Sequence, residues 1–104
     1  MYCSAVNIRS DVELIPARYS NNRLAITLDD PLTGERWGVA TVNIPDAALM
    51  KDEIILKDWS ENEGMVNFFI ENGLVEDTGR SVPTGHVLAN VVKMTDKLKE
   101  MLGV

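Results

Sequence analysis

The chain has 104 residues and a net charge of −6, with 45% hydrophobic and 25% charged residues. That length and balance fit one soluble globular domain, residues 1–104, and argue against a disordered chain. No apolar run nears the roughly 20 residues of a membrane-spanning helix, and the acidic excess speaks against direct nucleic-acid binding, which needs Lys and Arg to displace phosphate counterions.

The charge is unevenly spread. Residues 1–45 sum to −1, residues 46–79 to −7 and residues 80–104 to +2. The middle third could attract a basic protein surface, or serve only as a solvated face that keeps the chain soluble. The start, "MYCSAVNIRS", lacks the basic residues and apolar stretch of a secretion signal, and Cys3 is the only cysteine. Both facts point to a reducing, cytoplasmic setting.

In chain order, "SAVNIRSDVELIPARY" spaces Val6, Ile8, Val12 and Leu14 with the period of a strand, and Pro16 suits an edge strand or a strand end. "SNN" at 20–22 is a turn signal. "RLAITLDD" and "RWGVATVNI" read as a β-hairpin closed by "DDPLTGE", with apolar residues on both faces that suggest a central pair. "PDAALMKD" is either a helical turn or a crossing loop. "EIILKD" is a strand.

"KDWSENEGM" follows. Ser60 and Glu63 have the spacing of a capping box, and Asp58, Glu61 and Glu63 are acids placed at a positive helix N-terminus. Met65, Phe68, Phe69 and Asn72 keep helical spacing up to Gly73, which predicts a helix over about 61–72. "GLVEDTGRSVPTG" reads as a short strand with turns around Gly79 and Gly85, and "HVLANVVKM" as a buried strand. A Thr95-capped amphipathic helix over about 95–102 ends the chain, with Met94, Leu98, Met101 and Leu102 on its apolar side. The fold class expected is therefore α+β. A mostly antiparallel, curled sheet of about five or six strands carries two short helices, whose Met65, Phe68, Phe69, Leu98, Met101 and Leu102 cover one sheet face.

Chemistry-bearing residues are few. His86 is the only histidine and needs a partner to act as acid or base; Cys3 is a terminal thiol far from it in sequence. One His and one Cys cannot make a zinc set. Asp29, Asp30 and Glu35 share the hairpin loop, but without the spacing of an EF-hand. Phosphate-binding glycine loops and a nucleophile elbow are both missing. No cofactor is expected. Capping does not require Trp59. It either packs back as a hydrophobic staple, with Met65 or Phe68 standing in for Gly64, or stands exposed among acids as a protein-binding anchor.

"NNRLAITLDDPLTGERWGVATVNIP", "KDWSENEGM" and "NGLVEDTGRSVPTGHV", in this order over roughly residues 11–93, resemble a family of small uncharacterised bacterial proteins. That family is carried largely on conjugative and other mobile elements of gut bacteria. The S-E-N-E-G block is the most specific part, and His86 departs from the aromatic expected there. The resemblance implies an accessory protein of a mobile element and supplies no activity. The leading expectation is a non-catalytic interaction module that presents residues 46–79 to a basic protein partner, possible inhibition of a nucleic-acid-handling protein included. Its binding residues would be Asp58, Trp59, Glu61, Glu63, Glu76 and Asp77. The alternatives are a small metal-dependent or His86-assisted hydrolase using Asp29, Asp30 or Glu35, and a structural homodimer.

Overall fold

Local turn chemistry redirects the first residues. In the computed structural model, which describes all 104 residues, β1 (Tyr2–Cys3) and β2 (Ser10–Asp11) pair antiparallel. The Ala5 carbonyl accepts from the N–H groups of both Ile8 and Arg9, at 3.0 and 3.2 Å, and Arg9 takes φ 45°. Val6 and Ile8 therefore lie in a turn, not in the strand their spacing suggests, and Val6 is exposed. The alternation becomes real only at Val12 and Leu14, which are buried.

β3 (Glu13–Arg18), β4 (Leu24–Asp29) and β5 (Arg36–Val39) make an antiparallel sheet with β4 in the middle. Pro16 sits on the edge strand β3, where its missing N–H leaves no gap in a central ladder. Ala25, Ile26, Thr27 and Leu28 are all buried, so β4 has the two apolar faces its sequence advertises. β5 is not central: it pairs with β4 alone, and Trp37 is 40% exposed. In the connecting turn, Asp30 Oδ1 accepts from the N–H groups of Leu32 and Thr33, at 2.8 and 3.2 Å.

After β5 the chain changes partner. The Ala40 N–H donates to the Ile26 carbonyl of β4, and the Ala40 carbonyl accepts from Lys57. The Val42 N–H donates to Ile55, and Thr41 pairs with Leu56. Ile55 and Leu56 belong to β6 (Glu53–Leu56), the first strand of a second antiparallel sheet ordered β6-β8-β7. Residues 40–42 thus link the two three-stranded sheets, and the strands form three small antiparallel sheets where one curled sheet was expected. "PDAALMKD" is the loop that crosses between them.

β7 (Val75–Thr84) is longer than expected and runs straight through Gly79. The register slips between Asp77 and Arg80, so Gly79 is in a bulge and not a turn. Asp77 Oδ1 accepts from the Gly79 N–H at 2.9 Å, and the Thr78 hydroxyl donates to Val91 of β8 (Val87–Met94). Gly85 and His86 connect Thr84 to Val87 as a two-residue loop. Of the two, only Gly85 has positive φ, the pattern of a type II′ turn. His86 is therefore an exposed turn residue rather than the start of a strand.

The first helix is shorter than its periodicity. A 3₁₀ turn, Ser60–Asn62, precedes α1 (Met65–Glu71). No capping box forms, because Ser60 is itself in left-handed conformation at φ 58°. The Asp58 carboxylate caps instead, accepting from Gly64 and Val66 N–H. α2 (Asp96–Leu102) begins as the sequence predicts: the Thr95 hydroxyl accepts from Leu98 N–H and donates to the Gly73 carbonyl at 2.7 Å. Both helices pack on one core. Phe68 and Phe69, fully buried and edge-to-face with centroids 5.4 Å apart, meet Met65, Leu56, Leu98 and Leu102 there. Each such ring contributes roughly 1.5–3 kcal/mol by burial. Met101 departs from its expected core role and is 43% exposed. The other face of the second sheet has a smaller cluster of Ile55, Ala89 and Val91, covered by Val42, Ile44, Leu49 and Trp59. No helix is long and apolar enough to cross a membrane.

Candidate functional site

Residues 58–63 form an irregular surface segment held by several contacts to distant parts of the chain. Asn62 is 2% exposed, and its side-chain amide donates to the Val39 carbonyl of β5 at 2.6 Å. Asp58 reaches forward to cap α1. Asn7 donates to the Ser60 carbonyl, and Val6 N–H donates to the Glu63 carbonyl at 2.9 Å. Gly64, at φ 93°, lets the chain pass so close to Ala5 that an added Cβ would stand 3.2 Å from the Ala5 Cα. These constraints explain how Ser60 is kept in a conformation that costs a non-glycine residue of order 1 kcal/mol or more.

The pinned turn leaves Glu61 and Glu63 exposed. Lys57 ion-pairs with Glu61 four residues on. That contact, with smaller help from Glu61's own backbone N–H and the Ser60 hydroxyl, lowers the Glu61 carboxyl to about 2. Glu63 has no side-chain partner. Trp59 is half-buried. It takes neither of the two positions foreseen for it: it packs on the Ile55–Ala89–Val91 cluster, not on Met65 or Phe68 of the helix side, and Lys57 Nζ lies 5.9 Å from its ring centroid.

Glu76 and Asp77 belong to another part of the surface. Asp77 holds the β7 bulge. Glu76 faces a polar groove with Asp52, Lys93, Asp96 and Lys99, and its β8 partner Lys93 pairs with Glu53 at the start of β6, the end away from Lys57. The remaining acids of the 46–79 segment are largely engaged in the fold. Asp52 pairs with Lys99, Glu53 with Arg80, and Glu71 accepts from Ser4. The −7 of this segment is thus distributed over several surfaces, and Glu61 and Glu63 are the exposed acids of the turn that carries Trp59.

The residues of the hydrolase alternative are not brought together. Asp29 pairs with Arg36 at 3.5 Å and Asp30 caps its own turn, both in the first sheet. His86 is at the hairpin tip of the second. Cys3, though near the chain terminus, is fully buried, and burial pushes its pKa up. Groups of three or more His, Cys, Asp or Glu side chains placed to hold a metal are absent.

A cleft of about 370 Å³ was not foreseen from the sequence. It opens where the two sheets diverge, between Arg18, Tyr19 and Leu24 on one side and Leu49, Ile54 and Met94 on the other. Its residues come from eight separate stretches of the sequence, so no local motif announces it. Arg23, Lys99, Asp52 and Glu53 complete its charged lining. No family model matches this chain, and no curated protein or solved structure matches it either.

Proposed function

We propose that this protein is a non-catalytic interaction module, and that its acidic turn at residues 58–63 meets a basic surface on a protein partner. The observation that supports this most is the strained and multiply anchored Ser60 turn. Backbone strain persists only where the surroundings over-determine it, and such sites concentrate where function needs a fixed shape. Here the anchors Asp58, Asn62 and Gly64 point inward and the charges of Glu61 and Glu63 point out. A preorganised element loses little freedom on binding. Acidic side chains beside a half-buried tryptophan suit a basic partner, with the charges speeding encounter and the ring supplying area. Glu76 and Asp77 would extend contact only to a partner large enough to reach the far end of the second sheet.

On the resemblance noted above, the module would work in the cytoplasm as an accessory protein of a mobile element. Occupying the basic surface of a nucleic-acid-handling protein is the inhibitory form of this reading.

The test is an affinity pulldown from the native host at low and high salt, with the wild-type chain and a Glu61→Lys/Glu63→Lys variant of unchanged circular dichroism. A partner retained at low salt, released at high salt and lost to the charge-reversed variant supports the proposal. A partner indifferent to both, or none that is salt-sensitive, overturns it.

A further inference from the structure

The cleft between the two sheets has an electrostatic character opposite to that of the chain. Of its charged lining residues, three are cations (Arg18, Arg23 and Lys99) and two are acids (Asp52 and Glu53). Both acids are already neutralised, Asp52 by Lys99 at 3.1 Å and Glu53 by Arg80. Neither Arg18 nor Arg23 joins any ion pair. Their hydrogen bonds go to neutral backbone carbonyls. Arg23 donates to Ile44 at 2.7 Å and to Ala47, and Arg18 donates to Asn22 at 3.3 Å. A guanidinium has five N–H donors, so both arginines keep donors to spare. Two uncompensated guanidinium groups thus stand at one cleft of a protein whose net charge is −6.

Apart from Asn43, which accepts from Asn21, and Tyr19, whose hydroxyl bonds Thr41, the rest of the lining is apolar. Leu24, Leu49, Ile54 and Met94 form the walls. The volume of about 370 Å³ falls at the small end of the roughly 300–1,000 Å³ typical of small-molecule sites. Arg23 also fixes the crossing loop that carries Leu49, since its two carbonyl acceptors lie in that loop. The walls are therefore set in place by the same residue that supplies positive charge.

We infer that this cleft binds a small amphipathic anion, with its apolar body between the sheets and its carboxylate-like head at Arg18 and Arg23. Charge-assisted hydrogen bonds to guanidinium groups are about twice as strong as neutral ones, which makes the head group the source of selectivity. The site is independent of the acidic turn, so either proposal can fail without the other.

The experiment uses decanoate below its micellar range as probe, with decanol and decyltrimethylammonium of equal chain length as controls. Binding is followed by amide chemical shifts in the full chain. The expected result is one saturable site, shifts centred on Leu24, Leu49 and Met94, and affinity at least about tenfold above that for decanol. The cation is expected not to bind. Arg18→Gln is the variant of choice, because Arg18 is exposed on an edge strand and its loss leaves the loop anchored by Arg23. It should weaken decanoate binding about fivefold or more and leave decanol unchanged. Decanoate and decanol binding equally well, shifts outside the cleft, an unaffected Arg18→Gln variant of unchanged thermal midpoint, or no saturation by about 1 mM decanoate would each overturn the inference. Decyl phosphate distinguishes the head group: tighter binding of the phosphate than of the carboxylate supports an anion site and assigns it to phosphate esters.

Discussion

The Asp58 carboxylate accepts the backbone N–H of Gly64 at 2.9 Å, and this bond starts the first helix. The neighbouring Ser60, which has the right type and spacing for a cap, takes no part in it. Replacing a side chain that caps a helix costs about 0.5–2 kcal/mol. Asp58→Ala is expected to lose that much in urea unfolding, and Ser60→Ala much less. Equal losses would restore the capping box.

Gly64 supports the same junction by its lack of a side chain. Its φ of 93° is open to glycine at no cost, and an alanine Cβ would press on the Ala5 backbone at 3.2 Å. Gly64→Ala should destabilise by roughly 1–3 kcal/mol, since strain and a backbone contact act together. A thermal midpoint unchanged in this variant would contradict the geometry.

Asn62 ties the acidic turn to β5. Its amide is buried against the Val39 carbonyl at 2.6 Å. Asn62→Ala leaves that carbonyl without its side-chain donor and is expected to cost about 1–3 kcal/mol. Faster hydrogen exchange at residues 60–64 should accompany the loss. A variant as stable and as protected as the wild type would show that the turn holds itself.

Acid should weaken the fold through Glu53. Its carboxyl is held below the ordinary range chiefly by the Arg80 guanidinium and then by the Met50 N–H, and its side chain is only 7% exposed. Glu61 is also lowered, to about 2, but is largely exposed, so solvent screens its share. For both groups the native value lies below an unfolded value of about 4.3, so the stabilisation is complete above that value and is lost as pH falls toward the native one. Lys99 has the opposite sign. Its native pKa is raised, mainly by Asp52, so its contribution persists below the unfolded lysine value and disappears as pH rises past the native one. Thermal midpoints of the wild type should fall below about pH 4.5, and less steeply in Glu53→Gln. A parallel fall in both would assign the effect to other carboxylates.

Cys3 should be inert while the chain is folded. It is fully buried, and burial favours the neutral thiol over the reactive thiolate. A disulfide reagent is expected to modify it orders of magnitude more slowly in buffer than in denaturant. Equal rates in the two conditions would mean that the β1 ribbon detaches freely.

Those elements set by local chemistry were legible in the sequence. β4 shows its two apolar faces in "LAITLD", and Thr95 caps α2 with a bond only three residues long. The capping box failed because distant anchors, Asn62 to Val39 and Asn7 to Ser60, twist Ser60 out of the capping geometry. Val6 and Ile8 misled because a turn can mimic strand alternation over three residues. The acidic turn was visible as composition, but its separation from Glu76 and Asp77 follows from the register of β6, β8 and β7. The cleft was invisible, since Arg18, Leu49 and Met94 meet only after both sheets have formed.

Ala40 has one further consequence. Its N–H is bonded to one sheet and its carbonyl to the other. Fraying of either sheet therefore strips a bond from a residue the other depends on. The two halves share one fate on melting, and the Ala40, Val42 and Lys57 amides should exchange with solvent only when the whole chain opens.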